Sequence, residues 1–118
     1  MKSRTLTLKQ LRDAGAWKSQ CDLFRSLFGE SVKVTARRAA SFHNVFDWQW
    51  AARNLLSLKG LARFDVAVAR ADQRTIPMVI KVSSSVDLAK FLALYRRAVA
   101  RAFAHAYIAE GEQQEKAP

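Results

Sequence analysis

Cys21, His43 and His105 are the side chains from which this 118-residue chain would assemble a nucleophile and its base. An imidazole within hydrogen-bond reach of the Cys21 thiol would generate a reactive thiolate. Nothing in the spacing brings the three together. Cys21 falls on an apolar stripe between Trp17 and Phe24, the usual setting of a small buried hydrophobe. One cysteine and two distant histidines lack any zinc-ligand spacing. The four glycines (15, 29, 60 and 111) are too dispersed to build a phosphate-cradling loop. Asp13, Asp22, Asp47, Asp65, Asp72 and Asp87 are scattered, several of them where a helix cap belongs. The sequence therefore predicts no catalytic residue, no metal, no cofactor and no enzyme activity.

The basic residues form a stronger constellation. Lys90, Arg97 and Arg101 recur at i, i+7 and i+11, His105 extends the row, and Arg96 lies beside it. On a helix these share a face, and no acid between Asp87 and Glu110 neutralises them by i,i+4 pairing. Arg37 and Arg38 form a second cluster; Arg63, Arg70 and Arg74 form a third. The chain holds 12 Arg and 8 Lys, and guanidinium suits bidentate contact with phosphate or carboxylate. Any one of these arginines alone reads as an ordinary solvated residue; the row is the signal. Nearby, Phe42, Phe46, Trp48 and Trp50 surround His43 and Asp47. Rings beside arginines can stack nucleobases, but a small domain needs such rings for its core, and that is the expectation here. Trp50 is the exception. It is rotated about 200° from Trp48 on a helix, toward Arg53 and Asn54. The predicted partner-binding set is thus Lys90, Arg96, Arg97, Arg101, Arg37, Arg38, Arg53 and Trp50.

Overall charge points the same way. Twenty Lys and Arg against ten Asp and Glu give +10, and residues 1–108 hold 19 basic and 7 acidic groups, a balance of +12. Such an excess attracts polyanions: nucleic acid, an anionic membrane face or an acidic protein surface. Half the residues are apolar and a quarter charged, a globular balance. No apolar run approaches the roughly 20 residues that span a bilayer, and the N-terminus lacks the apolar core of an export signal. The lone cysteine fits a reducing cytoplasm, so a cytoplasmic protein with no membrane partner is expected.

These residues need a scaffold, and the pattern predicts a mainly helical one. Thr7 and Gln10 have capping-box spacing ahead of a helix from about Leu8 to Ala14. Trp17, Cys21, Phe24 and Phe28 mark a second helix, closed at Gly29. Ser31–Thr35 alternates and is extended, and Thr35 caps a helix to His43. Asp47 caps another from Trp48 to about Leu58, with Gly60 as its stop. Residues 61–72 read as helix through their alanines, and Ile76–Ser83 as an edge strand containing Pro77. The alternative there is an α+β arrangement with a β-hairpin at 63–83. The longest helix runs from Val86 to about Ile108, its apolar stripe made by Leu88, Leu92, Tyr95, Val99 and Phe103. One domain, 1–108, with a long C-terminal helix and a short β element is expected, followed by an acidic frayed tail, 109–118.

A resemblance adds to this reading. Leu8-x-x-Leu11-x-Asp13-Ala14-Gly15-Ala16, Gln20-x-x-Leu23-Phe24, Phe28-Gly29, Val32-x-Val34-Thr35, and Phe46-Asp47-Trp48-x-Trp50-Ala51-Ala52 with Leu55-Leu56 resemble a module of small uncharacterised phage and prophage proteins. The match covers roughly 6–58, and more loosely 88–108, where Ala102-Phe103-Ala104-x-Ala106-Tyr107-Ile108 is similar to the group's ending. Trp17 departs from it, standing where the group tends to carry cysteine, as does the strand-like Ile76–Ser83. The resemblance implies a phage or mobile-element origin within a bacterial host and transfers no catalytic residue. Two functions are expected from it and the charge together. One is an accessory protein binding nucleic acid or a nucleoprotein complex through its arginines. The other is an inhibitor of a host defence complex, of the anti-CRISPR kind, acting by protein–protein contact.

Overall fold

The computed structural model describes residues 2–79 and 85–116. Its elements are β1 (Arg4–Thr7), α1 (Leu8–Asp13), α2 (Lys18–Phe28), β2 (Ser31–Val34), α3 (Ala36–Ser41), α4 (Trp48–Leu55), α5 (Leu58–Val79) and α6 (Ser85–Lys116). The fold is mainly helical, with a long C-terminal helix and a small antiparallel sheet, as expected. Among the described residues, no helix is long and apolar enough to cross a membrane.

Local signals set most of the element starts. The Thr7 hydroxyl accepts the Gln10 N–H at 3.1 Å while the Gln10 side chain accepts the Thr7 N–H at 2.8 Å, which completes the predicted capping box. Thr35 caps α3 through the Arg38 N–H, and Asp47 caps α4 through the Trp50 N–H, both at 3.0 Å. Gly29 ends α2 with φ +79°, a conformation that side-chain-bearing residues rarely adopt. The extended Ser31–Val34 segment is a strand, and its partner is β1, with Arg4 opposite Val34 and Thr7 opposite Ser31.

Eight of the buried hydrophobic residues lie on α6. Its 32 residues, at about 1.5 Å per residue, match the 50 Å long axis of the molecule. Val99, Ala100, Phe103, Ala104 and Tyr107 are buried, and α3, α4, α5 and β1 all pack on this helix. A continuous run of rings, Phe28–Phe24–Phe46–Trp48–Phe103–Tyr107, crosses from α2 to α6 with centroids 5.0–6.1 Å apart. Edge-on and offset ring contacts of this kind add specificity to plain burial. Phe46 and Trp48 therefore belong to the core, as predicted, and the Trp48 indole N–H donates to the Phe42 carbonyl at 3.0 Å.

Four expectations need correction. Ile76–Val79 is the last part of α5, so the edge strand and the 63–83 hairpin are both replaced by helix as far as Val79; residues 80–84 lie outside the described residues. The β-branched residues there continue α5, a helix that packs as an element along α6. Helix α4 ends at Leu55, and Gly60 lies in the first turn of α5, close under the Leu56 and Glu110 side chains. Trp17 is 77% exposed and does not extend the apolar stripe of α2, which it precedes as the N-cap. Finally, α6 continues through the expected tail to Lys116. Glu110 is buried, accepts the Ser57 N–H at 2.7 Å and pairs with Arg4 at 3.6 Å.

Arg4 completes this anchor. Its guanidinium donates to the Tyr107 carbonyl at 3.0 Å and lies 4.0 Å above the Tyr107 ring. The Tyr107 hydroxyl donates to the Thr5 carbonyl at 2.9 Å and accepts from Gln10 at 3.1 Å. Burial raises the Tyr107 pKa from its ordinary 10.0, opposed by the Gln10 hydrogen bond and the Arg4 charge. Deleting residues 109–118 removes Glu110 from this network and should lower stability by about 3 kcal/mol or more in urea denaturation, whereas removal of a frayed tail would change nothing. Tyr107→Phe should cost about 1–2 kcal/mol at neutral pH. Because the unfolded phenol ionises near 10 and the folded one above it, wild-type stability falls as pH climbs past 10. Tyr107→Phe should show a shallower alkaline loss.

Candidate nucleic-acid interface

Helix α3 is held on α6 by small residues: Ala39 and Ala40 on one, Ala100 and Ala104 on the other, all buried. Close approach of the two backbones leaves their longer side chains to spread along the seam. The outcome is a groove of about 220 Å³ lined by Arg37, Ala40, Ser41, His43, Arg97 and Arg101. Arg97 and Arg101 stand one turn apart on α6, and α3 brings Arg37 across to them. All three are exposed. Among the described residues, none of the three forms an ion pair. The acids engage elsewhere, Glu110 with Arg4, Glu112 with Lys2 at 3.4 Å and Glu30 with Arg25 at 3.7 Å.

A wider hollow of about 500 Å³ adjoins this groove, between the α3–α4 loop and α6. Phe46, Trp48, Leu92, Tyr95 and Arg96 line it, and His43 lines both hollow and groove. The His43 Nδ1 contacts the Ala40 carbonyl at 2.8 Å; a carbonyl only accepts, so Nδ1 carries the proton. Its Nε2 is shielded from solvent and has no hydrogen-bond partner among the described residues. Burial, reinforced by the negative charge of Asp72, raises the Tyr95 pKa, so the phenol stays neutral over the ordinary range.

The predicted binding residues are thereby sorted. Arg37, Arg97 and Arg101 share the groove, and Arg96 stands in the adjoining hollow. Arg38 faces the other side of α3, where its guanidinium donates to the Lys33 carbonyl at 3.2 Å. Lys90 is exposed two turns before Arg97 on α6, and Arg53 is exposed in the last turn of α4. Neither lines the groove or the hollow. Trp50 is only half-buried, but it packs against the core and not into the groove. His43 and Tyr95, which line the hollow, are absent from the set predicted from the sequence. The available signal was adjacency: Tyr95 immediately precedes Arg96-Arg97.

Comparison with known proteins finds no matching family model, no similar curated protein and no similar solved structure. The residues with catalytic potential do not converge. Cys21 is buried in α2 with its Sγ 3.9 Å from the Ala16 carbonyl, and His105 lines a separate groove with Lys2, Arg37 and Glu112. Among the described residues, no group of three or more His, Cys, Asp or Glu could hold a metal ion.

Since Arg97 and Arg101 are exposed and form no ion pair among the described residues, the double variant Arg97→Glu, Arg101→Glu should fold normally. Its melting temperature should not fall below that of the wild type by more than about 2 °C, given that exposed substitutions stay within about 0.5 kcal/mol.

Proposed function

We propose that this chain binds nucleic acid, free or within a nucleoprotein complex, through the arginine groove of α3 and α6, and that it performs no covalent chemistry. The observation that carries the reading is the convergence of Arg37, Arg97 and Arg101 on one groove without a carboxylate partner among the described residues. Guanidiniums in that setting offer forked N–H pairs to phosphate oxygens. The +10 formal charge supplies long-range attraction to a polyanion. Contacts of this type go to the backbone, so they position the ligand without reading its sequence. The resemblance to phage and prophage proteins supports an accessory role for a mobile element in the cytoplasm of its bacterial host.

A second reading is favoured by a different feature. Leu88 and Leu92 are exposed one turn apart on the first half of α6, an apolar pair suited to a protein partner. On this reading the chain inhibits a host defence complex by direct contact, with the arginines covering an acidic patch or a guide channel. A single partner retained from host lysate after nuclease digestion, and lost on Leu88→Glu, would favour it.

For the first reading, affinity should fall steeply between about 50 and 200 mM salt, because bound cations are released from the nucleic acid. Arg97→Glu with Arg101→Glu should abolish binding in a fluorescence-anisotropy titration. Single Ala substitutions at Arg37, Arg97 or Arg101 should each reduce the logarithmic salt slope by about 1. Arg53→Ala, outside the groove, should leave slope and affinity near wild type. A salt-independent affinity would overturn the reading.

A further inference from the structure

We propose that the hollow beside the arginine groove receives an unstacked nucleobase, so that the preferred ligand is a single-stranded nucleic acid. This rests on the nucleic-acid reading above and specifies its substrate class. Three features carry it. The hollow, at about 500 Å³, is of small-ligand size, and its walls combine rings (Phe46, Trp48, Tyr95) with the aliphatic Leu92. It is contiguous with the phosphate-binding groove through His43, which lines both, so one strand can lay its backbone on Arg97 and Arg101 while turning a base inward. Arg96 stands in the hollow next in sequence to Arg97 in the groove, which puts a cation beside the base as well as beside the phosphate.

The shape argues against a duplex. A helix that reads double-stranded DNA projects into the major groove, whereas these arginines line a concavity between two packed helices. In a duplex the base faces are stacked and cannot enter a side pocket; in a single strand they are free to do so. Asp47 also lines the hollow, where its carboxylate accepts the Trp50 N–H. A groove of about 530 Å³ near the end of α6 shares Arg37 with the arginine groove but has no aromatic wall. A hollow of about 410 Å³ has Phe28 and Phe42 in its wall but shares no residue with the arginine groove.

The test compares three labelled ligands of equal length on the intact chain: an oligothymidylate, a duplex, and an abasic strand carrying phosphates and sugars without bases. The oligothymidylate should bind about tenfold or more tightly than both others, the margin expected when a base stacks on aromatic walls. Tyr95→Ala should erase that margin while keeping the residual affinity for the duplex. Equal affinity for the base-bearing and abasic strands, with binding still lost on Arg97→Glu and Arg101→Glu, would overturn the proposal and leave the nucleic-acid reading standing. No salt-sensitive binding to any of the three would overturn both. The ligand comparison needs no variant, so it decides the matter independently of how Tyr95→Ala folds.

Discussion

A buried carboxylate holds this fold together. An ionised group out of water is costly unless it is paired and hydrogen-bonded, and Glu110 is satisfied from two distant parts of the chain. The Ser57 N–H at the head of α5 and the Arg4 guanidinium of β1 both reach it. Its position on α6 therefore ties the sheet and the start of α5 to that helix. The Arg4 stem crosses Gly111 so closely that a Cβ there would lie 2.5 Å from the Arg4 Cδ. A side chain at 111 would have to displace the arginine, and with it the partner of Glu110.

From that anchor the site follows by packing. The ring run from Phe28 to Tyr107 fills the space between α2, α4 and α6, and the alanines of α3 and α6 set a close interhelical approach. Larger residues at Ala40 or Ala104 would push α3 outward and separate Arg37 from Arg97 and Arg101. The cationic groove is thus a by-product of small residues in the core. The hollow beside it exists because the α3–α4 loop leaves α6 at His43 before Trp48 returns the chain to the core.

What could be read in the sequence was mostly local. Thr7 with Gln10, Thr35 and Asp47 each act within three residues, so their caps are written in the spacing. Strand β1 was not legible, because Arg4–Thr7 is short and pairs with residues 27 positions and more away from its start. Glu110 looked like part of a solvated acidic end because its partners, Arg4 and Ser57, are over 50 residues distant. The strand expected from Ile76 followed β-branched composition where α5, packed as an element along α6, continues as helix. For the candidate site, the i,i+4 relation of Arg97 and Arg101 is visible in the sequence; Arg37 is legible there only as a separate cluster, not as a neighbour of the other two. Lys90 fell on the same helical row but too far along it, which no periodicity argument can exclude.

The distribution of acids has one further consequence. Glu110 and Glu112 pair with Arg4 and Lys2, while Arg37, Arg97 and Arg101 line one seam without a counterion among the described residues. Like charges held near one another raise the energy of the compact state. An anion seated among them would relieve that repulsion, so its binding would stabilise the folded chain. On the proposed reading, the three guanidiniums that repel one another in the free protein are the ones that would meet the ligand.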